Sequence, residues 1–201
     1  MKAILSLTTA LTFLLVPAHA DWIEMFDGKS LDGWKVSTEN PGSFRIEEEA
    51  IVTDGPRAHL FYGKDGTADF KDFEFECEVM TAKGANAGIF FHTRYQEEGW
   101  PNYGYEAQVN ATHKDVRKTG SVYAFKDVNE VHHKDGEWFT YRVRVEGSKV
   151  TVSLNGKVIN EYLEPEDHAD KTRRLSTGTI ALQAHDPDSI VRFRKLRIRK
   201  L

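Results

Sequence analysis

The chain has 201 residues, 40% of them hydrophobic and 29% charged, with a formal net charge of −4 and one cysteine. That size and composition suit one sizeable domain with a core of its own. The mild acidity leaves no basic face for nucleic acid as a main partner, and a lone thiol excludes an intramolecular disulfide.

Residues 1–20 read as a secretory signal peptide. Lys2 supplies the positive start, Ile4 to Val16 an apolar run too short to span a bilayer, and Ala18-His19-Ala20 an A-x-A cleavage site. Cleavage after Ala20 predicts an exported protein, periplasmic or extracellular. No cysteine stands at the cleavage point, which argues against a lipid or other membrane anchor.

From Asp21 onward the pattern is that of strands. Trp22 and Trp34 lie beside such patterns and are expected in the core, as is Trp138. Phe73, Phe75, Cys77 and Val79 alternate with Glu74, Glu76 and Glu78, which reads as an apolar inner face and a solvated acidic outer one. Cys77 is in phase with the apolar set and reads as core filler. Between Asn86 and Arg94, Ala87, Ile89 and Phe91 point one way, and Asn86, Phe90, His92 and Arg94 the other. Trp100, before Pro101, lies in a loop and is free to stack on a ring. In the next strand Tyr105, Ala107 and Val109 oppose Glu106, Gln108 and Asn110. Thr119 to Phe125 reads as a further strand, with Val122 and Ala124 inward and Ser121, Tyr123 and Phe125 outward.

His132-His133 with Asp135 is not a metal cluster on this spacing, because neighbouring residues of an extended chain point apart. Tyr141 to Glu146, Val150 to Leu154 and Lys157 to Tyr162 form a meander whose second turn is Asn155-Gly156, a strong hairpin signal. Glu164 to Arg174 is polar and at most a short helical turn. Gly178 to His185 sends Ile180, Leu182 and Ala184 inward and Gln183 and His185 outward, and Asp186-Pro187-Asp188-Ser189 reads as a turn. In the last strand Val191 and Phe193 are out of phase with Leu196 and Ile198, which predicts a β-bulge near Arg194-Lys195. Many short strands without a repeat or linker predict a single all-β domain over 21–201, a two-sheet antiparallel sandwich.

The outward faces of the segments containing Asn86, Glu106, Tyr123 and Gln183 carry amides, aromatic rings, an acid, histidines and an arginine. If these segments lie side by side, they line one groove able to hydrogen-bond hydroxyl groups and move a proton. A carbohydrate is the expected ligand.

The motifs Phe26-Asp27-Gly28-Lys29-Ser30-Leu31-Asp32-Gly33-Trp34, Asn86-Ala87-Gly88-Ile89-Phe90-Phe91 and Gly104-Tyr105-Glu106-Ala107-Gln108-Val109 resemble the 3-keto-disaccharide hydrolase domain family, first described as a domain of unknown function. Thr119-Gly120-Ser121-Val122-Tyr123, Gly136-Glu137-Trp138, Leu154-Asn155-Gly156 and Gly178-Thr179-Ile180-Ala181-Leu182-Gln183-Ala184-His185 continue it in the family's order. The resemblance implies a concanavalin A-like lectin/glucanase jelly-roll sandwich that breaks glycosides already oxidised to a ketone at C3. Many members carry Arg where this chain has His92, with Arg94 two residues on.

Such a reaction removes the proton on C2, passes through an enolate and expels the group on C1, so it needs a base, an acid and an oxyanion stabiliser. The catalytic candidates are Glu106 and His185 as base and acid, in either order, with Arg94 and His92 stabilising the enolate. Asn86, Gln108, Asn110, Tyr123, Gln183 and Trp100 are the candidates for holding the sugar. No cofactor is expected, with a divalent metal as the alternative electrophile. A non-catalytic carbohydrate-binding module is the rival reading. A retaining glucanase ranks below both, because Glu74-Phe75-Glu76-Cys77-Glu78 lacks the E-x-D-x-x-E spacing.

Overall fold

The computed structural model describes residues 21–201; the expected signal peptide lies outside them. Thirteen strands follow one another: β1 (Ile23–Glu24), β2 (Trp34–Val36), β3 (Phe44–Glu47), β4 (Ala50–Thr53) and β5 (Ala58–Tyr62). Then come β6 (Phe73–Thr81), β7 (Asn86–Thr93), β8 (Tyr105–Asn110) and β9 (Phe139–Glu146). The last four are β10 (Lys149–Leu154), β11 (Lys157–Leu163), β12 (Thr179–Ala184) and β13 (Val191–Lys200). All pairings are antiparallel and divide the strands into two sheets. One runs β11-β10-β9-β6-β13-β4-β3, with β1 also paired to β13; the other runs β2-β5-β12-β7-β8.

The alternation read in sequence explains how the sheets face each other. Phe73, Phe75, Cys77 and Val79 of β6, Tyr141, Val143 and Val145 of β9 and Phe193, Leu196 and Ile198 of β13 form one inner face. Ile89 and Phe91 of β7, Tyr105, Ala107 and Val109 of β8 and Ile180 and Leu182 of β12 form the other. At about 25 cal/mol per Å² of apolar surface buried, this shared core is the main stabilising element of the sandwich. The β10–β11 hairpin turns on Asn155 and Gly156, both at positive φ (49° and 80°), as a two-residue turn matched to strand twist requires. The expected bulge is present: Arg194 pairs with Glu78 and Arg197 with Glu76, and Lys195 sits at φ 52°.

The outer face of the larger sheet differs from the expectation of free, solvated acids. β6 lies between β9 and β13, so two of its glutamates meet cations from both sides: Glu74 meets Arg144 and Arg199, and Glu76 meets Arg142 and Arg197. Glu78 pairs with Arg194 and Lys195, both on β13. Partial burial opposes ionisation, yet the paired guanidinium groups hold the Glu74 and Glu76 carboxyls below their ordinary range. Trp34 is in the core, but Trp22 and Trp138 are half-buried on this outer face, under Arg197 and Arg199 and under Arg194.

One further expectation is corrected. Thr119 to Phe125 is not a strand: Val122 and Lys126 bridge around a tight turn over 123–125, and Val122 is buried while Ala124 is exposed at φ 67°. Glu164 to Arg174, as expected, holds no more than a single turn, closed by the His168 N–H on the Pro165 carbonyl, and is otherwise an irregular loop tied down by side chains.

Candidate active site

The smaller sheet presents β12, β7 and β8 side by side, and its outer face holds a cavity of about 250 Å³. That is below the ~300–1,000 Å³ usual for drug-sized ligands, so the cavity is on the scale of one sugar ring rather than a chain. Glu106 and Gln108 of β8, Asn86 and Phe90 of β7, and Gln183 and His185 of β12 and its end line it. Tyr123 enters from the turn after β8, Trp100 and Pro101 from the loop between β7 and β8, and Arg173 from the loop before β12. A second cavity, on the outer face of the larger sheet, is bordered by Glu76, Glu78, Lys195 and Arg197. Those four charges are already paired.

Glu106 is 7% exposed and leans over Gly88. A Cβ at Gly88 would stand 2.2 Å from Glu106 Oε1, so the missing side chain makes room for the carboxyl. Gln183 Nε2 donates to Oε1 at 3.3 Å. With its amide turned so that nitrogen faces the two nearby oxygens, Gln108 also donates to Oε1, at 3.1 Å, and to the Ala87 carbonyl. Burial pushes the Glu106 pKa up to about 8, against the pull of the Arg173 charge and the Gln183 hydrogen bond. The carboxyl is therefore protonated at neutral pH. Because Oε1 already accepts from two amides, the proton belongs on Oε2.

His185 stands at the end of β12, where its Nδ1 lies 2.6 Å from Asp186 Oδ2. A neutral imidazole donating from Nδ1 keeps Nε2 as its basic nitrogen. Partial burial opposes it, but the bonds from His185 and Ser189 hold the Asp186 carboxyl below its ordinary range. The Trp100 ring, 43% exposed, lies 5.4 Å from the His185 ring and 5.8 Å from that of His59, with the Arg57 guanidinium 4.9 Å away on its face. A Glu39–Arg57 ion pair and a Gly99 N–H bond to Glu39 fix the loop that carries it.

Three expected site residues are elsewhere. His92 adopts φ 54° and drops out of the β7–β12 register, which interrupts the alternation that would have aimed it at the groove. It is buried instead against Phe73 and Phe91, its Nε2 bonded to the Lys71 carbonyl and its Nδ1 accepting the Ser176 N–H. Arg94, just past the end of β7, is exposed and lies over the Tyr103 ring at 4.3 Å, away from the cavity. Asn110 ends β8 and uses its amide on the Asp115 and Arg117 carbonyls and the His113 N–H, organising the following loop.

The cation in the cavity is Arg173, which stands in a polar loop whose sequence has no alternation to aim it. Asp170 Oδ1 accepts the Thr172 and Arg173 N–H groups, His168 bonds the Arg173 carbonyl, and Arg173 donates to the Tyr123 carbonyl. Glu164 accepts from Leu175 N–H and from the Tyr105 hydroxyl, and His92 holds Ser176. His92 and Tyr105 thus secure the loop that brings the arginine in. Asp186 was also missed as a partner of His185; its position next to His185 was the available signal. Among the described residues no three of His, Cys, Asp and Glu converge as metal ligands, and no helix is long and apolar enough to cross a membrane.

A sugar-sized cavity with amides, an aromatic wall and groups able to transfer a proton thus lies on one outer face of a lectin/glucanase-type sandwich. The chain belongs to the 3-keto-alpha-glucoside-1,2-lyase-like domain family, whose model matches residues 21–199. It is similar to a 3-keto-disaccharide hydrolase of Bacteroides thetaiotaomicron, with 28% identity over 177 residues, 74% of this chain and 61% of that protein. The chain therefore spans less than two thirds of that relative. The fold is that of a candidate glycosyl hydrolase from Parabacteroides distasonis (TM-score 0.74, 22% identity, covering 90% of this chain and 94% of that one). A Bacillus licheniformis β-glucanase shares it more distantly (TM-score 0.58, 10% identity, 92% of this chain and all of that one).

Proposed function

We propose that the protein cleaves glycosides carrying a ketone at C3, with His185 as the base and Glu106 as the acid. His185 Nε2 takes the proton from C2, and the C2–H electrons pass into a C2–C3 enolate whose oxygen becomes negative. The Arg173 guanidinium and the nearby amides stabilise that charge. The enolate collapses, C3 regains its carbonyl, a C1–C2 double bond forms and the C1–O bond breaks. The leaving oxygen takes the Glu106 proton. Release at this stage gives the lyase outcome; addition of water to C1, with protons returned to Glu106 and C2, gives net hydrolysis. Asn86, Gln108, Gln183 and Tyr123 hold hydroxyl groups while Trp100 stacks on an apolar ring face.

One observation carries this reading: an imidazole held through Nδ1 by a carboxylate and a protonated carboxyl line the same cavity beside a cation. Glu106 is the one carboxylate among the lining residues, which disfavours the paired-carboxylate chemistry of ordinary glycosidases. The leader-like residues 1–20 support action outside the cytoplasm, which sequencing the N-terminus of cell-fractionated protein checks.

The decisive assay compares an aryl 3-keto-glucoside with its unoxidised parent, with and without chelator, following aglycone release. Release from the keto compound alone is expected, with Glu106→Gln and His185→Ala each about 10²-fold slower and still folded. Release from neither, with the sugar still bound, would establish the binding-module alternative.

A further inference from the structure

We propose that Ser189 is a positioning residue for His185, holding Asp186 so that the imidazole keeps its proton on Nδ1; this rests on His185 being the base. The segment read as a plain turn is closed by the Ser189 N–H to the Asp186 carbonyl at 3.0 Å. Within it the Asp188 N–H occupies Asp186 Oδ1 at 2.9 Å. The other oxygen, Oδ2, serves both His185 Nδ1 at 2.6 Å and Ser189 Oγ at 3.0 Å.

The direction of the serine bond follows from its other partner. The Asn86 N–H can only donate, and it donates to Ser189 Oγ at 2.9 Å. The hydroxyl is thereby an acceptor on that side, and its own proton goes to Asp186. Ser189 is 1% exposed, so water does not compete for it. The side chains of His185 and Asp186 are 28% and 34% exposed and lack such enclosure. Without the hydroxyl the carboxylate is free to rotate towards solvent, and the imidazole to exchange tautomers. The hydrogen bonds also run from β7, whose Asn86 side chain lines the cavity, to the base at the end of β12.

The test uses full-length protein with ¹⁵N-labelled histidine. Imidazole ¹⁵N shifts report the His185 tautomer whether or not a substrate is turned over. Wild type is expected as the Nδ1–H tautomer and Ser189→Ala as a mixture, with kcat on the 3-keto-glucoside about tenfold lower and KM little changed. Asp186→Asn, at a partly exposed position, is a second probe that does not depend on the buried hydroxyl. Its amide nitrogen would face Nδ1 and drive the proton to Nε2. An unchanged tautomer in both variants overturns the proposal, as does a lower melting temperature in Ser189→Ala with tautomer and kcat intact. A shifted tautomer in a protein that cleaves no 3-keto-glucoside would sustain the serine's role and overturn the reaction instead.

Discussion

Glu106 shows how one residue's surroundings set both chemistry and stability. Its carboxyl keeps a proton up to about pH 8 in the folded chain, against an ordinary value of 4.5. Between those limits the unfolded chain binds fewer protons, so stability falls as pH rises through that window. Each unit of the shift corresponds to about 1.4 kcal/mol. Glu106→Gln cannot ionise, so in urea unfolding its advantage over wild type is expected to grow from pH 5 to pH 9. A constant difference would show that the acid is not held protonated. The same group predicts that wild-type kcat/KM is lost as pH rises through about 8. Gly88 supplies the complementary test: Gly88→Ala places a methyl against Glu106 Oε1, Cγ and Cδ. A displacement of this size is expected to lower kcat about 10²-fold while the circular dichroism spectrum stays that of the wild type.

At the scale of elements, strands were readable and the ends of strands were not. Period-two alternation placed Asn86, Glu106, Gln108 and Gln183 on one face because β7, β8 and β12 are regular there. It failed at His92, where a single residue at positive φ shifts the register, and at Asn110, where the chain leaves the sheet. Arg173 was beyond its reach, since an irregular loop has no period and its path is set by contacts distant in sequence. Those contacts make a prediction. His92→Ala removes the Ser176 N–H bond, so that amide is expected to exchange with solvent at least tenfold faster by hydrogen-exchange mass spectrometry or NMR. Turnover should fall with it, although His92 does not line the cavity. Unchanged exchange would mean that the loop is held by Asp170 and Glu164 alone.

For the molecule as a whole, the two-sheet architecture was legible because strands with one apolar face have few ways to bury it. Which outer face carries the sugar-sized cavity was legible too, from the amides and aromatic rings on one and the charges on the other. The cross-strand pairing of those charges was not, because it depends on β9 and β13 flanking β6, and strand order is not written in any local pattern. The sequence therefore read as a solvated face what is a lattice of Glu–Arg pairs.

Cys77 sits at the middle of β6, flanked by β9 and β13 and 1% exposed, and burial raises its thiol pKa well above the ordinary value. A small electrophilic dye should thus find nothing to alkylate while the sandwich is shut. Because the central strand opens last, the labelling rate in dilute urea should report the rare, whole-chain opening events. The lone thiol then serves as a built-in clock for kinetic persistence, and appreciable modification of the protein in plain buffer would reveal that β6 breathes independently of its neighbours.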